Sequence, residues 1–214
     1  MGICPPSCYY REMFKPFPAP AAAHQIELEF KKSRFIGLVE RITNKTAAKQ
    51  FLQRVHQQFP DARHICWAYL VGNPQGTCGA AMNDAGEPAG TAGKPILNVI
   101  QHKGIGNVMV VVVRYFGGIK LGAGGLVRAY SKAAETVLSE IQLEIECFSA
   151  TLNIEMEFSN EQFIRHWLEK YKGTILDAKY TNKAMLEISL PEQELSEFVK
   201  VCEARNIIIK RKNC

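Results

Sequence analysis

The apolar positions of the chain are concentrated in one central run. Residues 107–116 include Val108-Met109-Val110-Val111-Val112-Val113, which no polar residue interrupts. β-branched side chains favour an extended backbone, and an apolar run without alternation is typical of a strand buried on both faces. Gly117 and Gly118 then turn the chain, and apolar residues at helical spacing follow over 122–140. The pattern therefore predicts a buried strand, a glycine-rich loop and a helix.

Weaker patterns before this unit predict the elements that surround it. Residues 24–30 alternate between apolar and polar side chains, and a short basic turn separates them from a second apolar segment, 35–42. Two such segments around a tight turn are typical of a β-hairpin. Thr43 or Asn44 is expected to cap a helix whose apolar residues recur at helical spacing and which ends before Pro60, and another strand is expected over 65–71.

The glycine content divides the chain near residue 147, because only Gly173 lies beyond that point. The patterns after the division follow the order βαββαβ, which is typical of a ferredoxin-like unit. The sequence therefore predicts an α+β protein with two domains, 24–146 and 147–214. Residues 1–23 contain five prolines and are expected to form an irregular arm, because proline removes a backbone donor.

Length and composition exclude several classes of protein. The chain has 214 residues, of which 47% are hydrophobic and 22% are charged, as in soluble globular proteins. No apolar run is long enough to cross a bilayer, and the first residues do not resemble a secretory signal. The seven cysteines are scattered without any CxxC pair, so we expect reduced thiols in the cytoplasm, no metal and no cofactor.

The positive charge is confined to the first part of the chain. Residues 1–147 hold 16 Lys and Arg against 11 Asp and Glu, whereas residues 148–214 hold 10 of each. Residues 88–134 contain six cations and no acidic residue. A glycine-rich loop at a helix start leaves backbone N–H groups free, and cations beside them favour a phosphate ligand.

The candidate site follows from this overlap of glycines, cations and aromatic residues. The residues expected to contact phosphate or nucleic acid are Lys94, Arg114, Tyr115, Phe116, Gly117, Gly118, Lys120, Gly122, Gly124, Gly125, Arg128 and Lys132. Three further residues are interpreted as supports of the loops, with an acid–base role as the alternative: His64, Asp84 and Glu87. Residues 84–95 are not a P-loop, because Pro95 replaces the Ser or Thr that would hold magnesium. We assign no catalytic residue.

Two blocks of sequence resemble a known family. VVVVRYFGGIKLGAGGLVRAY and DAGEPAGTAGKP, at residues 110–130 and 84–95, are similar to the signatures of the Impact/YigZ family. The resemblance extends from about residue 24 to the C-terminus. It implies a first domain like the second domain of ribosomal protein S-five. It also implies a small second domain like a terminal module of translocating elongation factors.

Two classes of function remain open at this point. The first is a non-enzymatic protein that binds RNA, the ribosome or a translation factor, and the exposed aromatic residues would stack on bases. The resemblance agrees with this class, since eukaryotic relatives control translation initiation through protein contacts. The alternative is an enzyme that acts on a phosphorylated or nucleotide substrate. We favour the first class because the sequence lacks the motifs of catalysis; the oligomeric state stays open.

Overall fold

The computed structural model describes residues 15–76 and 79–211, and it confirms an α+β protein. The chain divides into two compact units, the first at Pro16–Glu146 and the second from Cys147 onward. Within the described residues, no helix combines the length and the apolar character that crossing a bilayer requires.

A five-stranded antiparallel sheet forms the centre of the first unit. The elements of the first unit are β1 Phe17–Pro20, β2 His24–Phe30, β3 Ser33–Arg41, α1 Lys45–Gln58, β4 His64–Val71, β5 Gly79–Asn83, α2 Gly93–Lys103, β6 Val108–Tyr115, α3 Ala123–Glu140 and β7 Leu143–Glu146. The five strands of the sheet run in the order β2-β3-β6-β4-β5. The predicted hairpin, helices and central strand are all present, with boundaries that differ by a few residues.

Helices cover both faces of this sheet, as the apolar run in β6 predicts. Alternate residues of β6 point to opposite faces, and its valines accordingly belong to two separate cores. Helix α1 packs on the face of Met109 and Val111, whereas α2 and α3 pack on the face of Val110 and Val112. The six residues of the apolar run are at most 1% exposed.

Part of the predicted N-terminal arm belongs to the first unit. Phe17–Pro20 forms the strand β1, which pairs with β7 in a two-stranded sheet. Proline is tolerated in a strand with a free edge, and Phe17 and Ala19 are buried. Arg41 forms ion pairs with two carboxylates of β7, those of Glu144 and Glu146. Residues 1–14 of the predicted arm lie outside the described residues.

The second unit has the predicted βαββαβ order. Its elements are β8 Ser149–Met156, α4 Phe158–Lys170, β9 Thr174–Tyr180, β10 Ala184–Pro191, α5 Leu195–Ala204 and β11 Ile208–Arg211. The antiparallel strands lie in the order β11-β8-β10-β9, which is the ferredoxin-like arrangement. A core that includes Trp167, Phe198 and Cys202 lies between the sheet and the two helices.

Gly117 joins the end of β6 to the turn between β2 and β3. A Cβ atom at this position would lie 1.7 Å from the carbonyl oxygen of Lys32. The backbone N–H of Gly117 donates to Ser33 Oγ at 3.2 Å. Only glycine permits this contact, which brings the basic turn of the hairpin against the loop that follows β6.

Gly117→Ala is expected to destabilise the first unit by about 1 to 3 kcal/mol, the usual cost of overpacking. The added methyl group would meet backbone atoms of Lys32, which have little freedom to move. Gly124→Ala is the matched control, because a Cβ atom there meets nothing within 4 Å. It should leave the free energy of unfolding unchanged or raise it by up to about 1 kcal/mol, since alanine favours a helix. Urea unfolding of both variants measures the difference; equal stabilities would contradict the close contact.

Candidate nucleic-acid interface

The topology brings the two glycine-rich loops to the same end of the central sheet. The β5–α2 loop, residues 84–92, follows β5, and the β6–α3 loop, residues 116–122, follows β6. Strand β6 ends where β4 begins, since Arg114 pairs with His64, and Asn83 at the end of β5 pairs with Trp67. Helices α2 and α3 therefore start at this end and share one face of the sheet.

The β5–α2 loop satisfies its own backbone donors. The side chain of Asp84 accepts hydrogen bonds from the N–H groups of Gly90, Ala92 and Gly93, at 2.9, 3.0 and 2.8 Å. Burial raises the pKa of Asp84, but these three hydrogen bonds outweigh it and hold the pKa below the ordinary 3.8. A carboxylate thus occupies the N-terminus of α2, where an external anion would otherwise bind.

Arg114 and Glu87 form a buried ion pair beneath this loop. Arg114 Nη1 lies 2.6 Å from Glu87 Oε1, and the two side chains are 7% and 4% exposed. Glu87 Oε1 also accepts a hydrogen bond from Tyr130 Oη at 2.9 Å. Arg114 was predicted as a phosphate contact, but its buried charge is already neutralised, so it is not available at the surface. Its Nε has no hydrogen-bond partner among the residues described.

Two further polar side chains close the network around the loop. Cys66 Sγ lies 3.3 Å from Tyr130 Oη and 3.0 Å from the carbonyl oxygen of Asp84. Burial raises the pKa of the Cys66 thiol to about 12, so the thiol stays protonated and unreactive near neutral pH. His64 Nδ1 lies 3.0 Å from the carbonyl oxygen of Ala85. The three predicted supporting residues therefore all belong to this network: Asp84 and Glu87 lie in the β5–α2 loop, and His64 contacts it.

The N-terminus of α3, which follows the β6–α3 loop, leaves backbone donors free. Helix α3 begins at Ala123 after Gly122, and its first turn has neither a side-chain cap nor an acidic residue. The N–H groups of Ala123, Gly124 and Gly125 have no partner among the described residues, as the first bond within the helix comes from Leu126. Gly118 and Gly122 adopt positive φ angles of 84° and 70°, which glycine adopts without strain.

Exposed cations lie before the start of α3, along α3 and at the start of α2. Lys120 precedes α3, Arg128 and Lys132 lie on one exposed side of α3, and Lys94 lies in the first turn of α2. None of these four side chains forms an ion pair within the described part of the chain, in contrast to Arg114. Asp84 and Glu87, the acidic residues of the β5–α2 loop, are engaged by the amides at the start of α2 and by Arg114, and they do not pair with these four cations.

The two predicted stacking residues do not form a single surface. Tyr115 packs against the core on the α1 side, with the guanidinium of Arg34 5.3 Å from its ring centre. Phe116 is 58% exposed and lies near Arg114, 5.7 Å from the guanidinium carbon to the ring centre. Successive residues of a strand point to opposite faces, so Phe116 alone remains as a stacking surface on the α3 side.

Lys31 and Lys32 also lie beside this surface, although the sequence pattern did not place them among the predicted site residues. They form the two-residue turn between β2 and β3, with φ angles of 48° and 64°. Glycine or asparagine usually occupies such turns, because other side chains are strained at positive φ. Both lysines are exposed, and Gly117 places them beside the β6–α3 loop. Two strained lysines in a tight turn are the signal that marks these positions.

Asp84→Ala is expected to lower the free energy of unfolding by about 1 to 2 kcal/mol near neutral pH, because α2 loses its cap. Because the pKa of Asp84 is lower in the folded protein than in the unfolded chain, its carboxylate stabilises the fold at pH values above the pKa of the unfolded chain. This stabilisation disappears as the pH falls through the pKa of the folded protein. The difference between the wild type and the variant should therefore shrink below pH 3.8. Urea unfolding across a pH series measures it, and a difference that is constant with pH would exclude this role of the carboxylate.

Comparisons with known proteins agree with this architecture. Residues 31–138 match the Impact N-terminal domain, and residues 154–200 match a domain of unknown function, DUF1949. The IMPACT family member of Haemophilus influenzae is 36% identical over 179 residues, which cover 84% of this chain and 87% of that protein. The IMPACT family member YigZ of Escherichia coli is 37% identical over 179 residues, covering 84% of this chain and 88% of that protein.

A solved structure is similar over most of the chain. The crystal structure of a hypothetical protein superimposes with a TM-score of 0.63 at 32% sequence identity, and the match covers 92% of this chain and 98% of that one. Two matching domains in the expected order and relatives of nearly the same extent identify this chain as a member of the IMPACT family.

Proposed function

We propose that this protein is a non-enzymatic RNA-binding protein of translation, and that it contacts RNA phosphates through the β6–α3 loop and the start of α3. The observation that carries the proposal is the set of unpaired cations around a helix N-terminus that lacks a cap. The N-terminus of a helix carries about half a positive charge, which adds to the charge of these side chains. Every component of the surface therefore favours an anion.

The extent of the surface favours a polyanion over a single phosphate group. From Gly122 to Lys132 the helix axis advances about 15 Å at 1.5 Å per residue. Lys120 and the turn at Lys31 and Lys32 extend the positive surface beyond the helix start. One phosphate contacts only part of such a surface, whereas successive phosphates of an RNA strand contact several cations at once.

The side chain of Phe116 supports RNA as the polyanion. It is 58% exposed, and it is the first residue of the β6–α3 loop, directly after the end of β6. Bases of single-stranded RNA stack on exposed aromatic rings, while double-stranded RNA presents mainly phosphates and hydroxyl groups. We therefore expect single-stranded RNA to bind more tightly than a duplex of equal length.

The family supports a role in translation. The Impact/YigZ resemblance implies control of translation, and the first unit is expected to share its fold with a ribosomal protein domain. An RNA of the translation machinery is accordingly the partner we infer. If RNA does not bind, the alternative partner for the same cations is a protein surface with a row of carboxylates.

The double variant Lys120→Glu, Arg128→Glu is expected to weaken RNA binding strongly. Fluorescence anisotropy of labelled single-stranded RNA, measured from about 50 to about 200 mM salt, gives the affinity and its salt dependence. Each lost phosphate contact in a single strand lowers the slope of log affinity against log salt by about 0.7, so two lost contacts lower it by about 1.4. Both side chains are exposed, so thermal unfolding should change little.

The matched control reverses the charge of two exposed lysines on the opposite face of the sheet. Lys45 and Lys49 lie on α1, and the variant Lys45→Glu, Lys49→Glu makes the same change in net charge. It should retain most of the affinity, whereas equal losses in both variants would indicate general electrostatic attraction. Absence of binding at low salt would reject RNA as the partner. Arg114→Glu is unsuitable for this test, because a buried ion pair that loses one partner costs about 3 to 5 kcal/mol.

A further inference from the structure

The turn between β2 and β3 has a sequence that does not suit its backbone. Phe30 pairs with Ser33, so Lys31 and Lys32 alone connect the two strands. Their φ angles are 48° and 64°, and a two-residue hairpin turn of this kind requires positive φ at both positions. Glycine and asparagine adopt this backbone readily, whereas the Cβ atom of a lysine crowds a carbonyl oxygen. The chain thus holds two lysines where other residues would be less strained.

The β6–α3 loop holds this turn in place. Ser33 is fully buried, and its Oγ accepts a hydrogen bond from the N–H of Gly117 at 3.2 Å. The carbonyl oxygen of Lys32 lies so close to Gly117 that no Cβ atom fits between them. A turn that is held by two contacts needs little ordering when it binds a ligand, which favours affinity.

The turn lies at the same end of the sheet as the start of α3. Strand β3 is antiparallel to β6, so its first residue, Ser33, lies where β6 ends. Helix α3 runs along β3, and the rings of Phe35 and Tyr130 meet edge to face with their centres 5.3 Å apart. A Cβ atom at Gly37 would lie 3.3 Å from the carbonyl oxygen of Ala133. The free amides of α3 and the turn therefore lie at one end of the same hairpin and helix.

Both lysines of the turn present unpaired ammonium groups. They are exposed, and neither Lys31 nor Lys32 forms an ion pair within the described part of the chain. The carboxylate of Glu27 on the same hairpin is bound by Arg34 at 2.7 Å. Glu29 lies on the α1 side of the sheet, because its neighbours along β2 pack into the core on the α3 side. Two positive charges at a fixed position are thus available to a ligand.

An exposed aromatic ring adjoins the turn. Phe116 directly precedes Gly117 and is 58% exposed. Its ring centre lies 5.7 Å from the guanidinium carbon of Arg114, which is equally far from the ring centre of Phe35 in the α3-side core. The ring and the turn thus flank the same glycine. They match the base and the phosphate of one nucleotide, since bases stack on aromatic rings and cations bind phosphates.

We propose that the Lys31–Lys32 turn is a second phosphate contact of the RNA site, and that the base beside this phosphate stacks on Phe116. This inference rests on the proposed function. One phosphate at the start of α3 and another at the turn belong to different nucleotides of one strand. The ligand is therefore an internal stretch of single-stranded RNA and not a mononucleotide. Strained backbone persists where function depends on it, and here the strain keeps two ammonium groups at a fixed position.

The variant Lys31→Asn, Lys32→Gly tests this role, because both new residues suit the turn and neither is charged. The midpoint of its thermal unfolding should rise by about 2 to 8 °C, since the strain is relieved. Its affinity for a labelled single-stranded RNA hexanucleotide, measured by fluorescence anisotropy, should fall about tenfold or more at about 0.1 M salt. The slope of log affinity against log salt should fall by about 1.4, because two contacts are lost. Adenosine monophosphate, which offers a single phosphate, should bind the wild type far more weakly than the hexanucleotide.

Three control variants separate charge, strain and stacking. Lys31→Arg, Lys32→Arg keeps both the charge and the strain, and it should leave the affinity and the unfolding midpoint unchanged. Lys45→Gln, Lys49→Gln removes two positive charges from α1 and should retain the affinity. Phe116→Ala should weaken binding without a change in the salt slope, because the ring contacts no phosphate.

The outcomes distinguish this inference from the proposed function. If the wild type binds the hexanucleotide and the turn variant has the same affinity and slope, the inference is overturned and the proposed function stands. Equal losses in the turn variant and the α1 variant would overturn it as well, because the attraction would then be general. A lower unfolding midpoint of the turn variant would assign the lysines a structural role. Absence of RNA binding by the wild type would reject the proposed function, and this inference with it.

Discussion

The buried ion pair between Arg114 and Glu87 determines how this end of the sheet is built. Arg114 lies near the end of the central strand β6, and Glu87 lies in the loop before α2, so the pair fastens that loop to the sheet. Tyr130 on α3 donates a hydrogen bond to the same carboxylate, which connects α3 to the loop and to β6. Removal of either charge would leave the other buried without a partner, at a cost of about 3 to 5 kcal/mol. The carboxylate of Glu87 thus links β6, the loop before α2 and helix α3, in addition to the apolar core that the two helices share.

This arrangement separates two glycine-rich loops that look alike in the sequence. The β5–α2 loop uses both of its acidic residues internally, Asp84 on three backbone amides and Glu87 on Arg114. The β6–α3 loop has no acidic residue, and the amides at the start of α3 are free. The β5–α2 loop is thus a structural support, whereas the β6–α3 loop and the start of α3 present free amides and exposed cations to solvent. The surface we propose for RNA follows from this division of roles.

Local patterns predicted the elements, whereas the long-range contacts came from the structure. The uninterrupted valines of β6 correctly predicted a strand covered on both faces, because that pattern has few other solutions. The apolar spacing likewise predicted α1 and the βαββαβ order. The partner of Arg114 was not predictable, since Glu87 lies 27 residues away and nothing in the spacing selects it. Strand β1 was missed because its prolines resemble a loop until β7, more than a hundred residues later, is known to pair with it. Tyr115 and Phe116 are adjacent in the sequence, but the alternation of the strand separates their side chains.

The proposed RNA surface requires that the start of α3 binds phosphate and that the start of α2 does not. The most direct measurement is a titration of the ¹⁵N-labelled protein with inorganic phosphate and then with a short single-stranded RNA, followed by amide NMR. We expect the amide signals of Ala123, Gly124 and Gly125 to shift with both ligands. The amide signals of Gly90, Ala92 and Gly93, which already donate to Asp84, should stay in place. Shifts confined to the start of α2, or no shift at the start of α3 with either ligand, would contradict phosphate binding at α3.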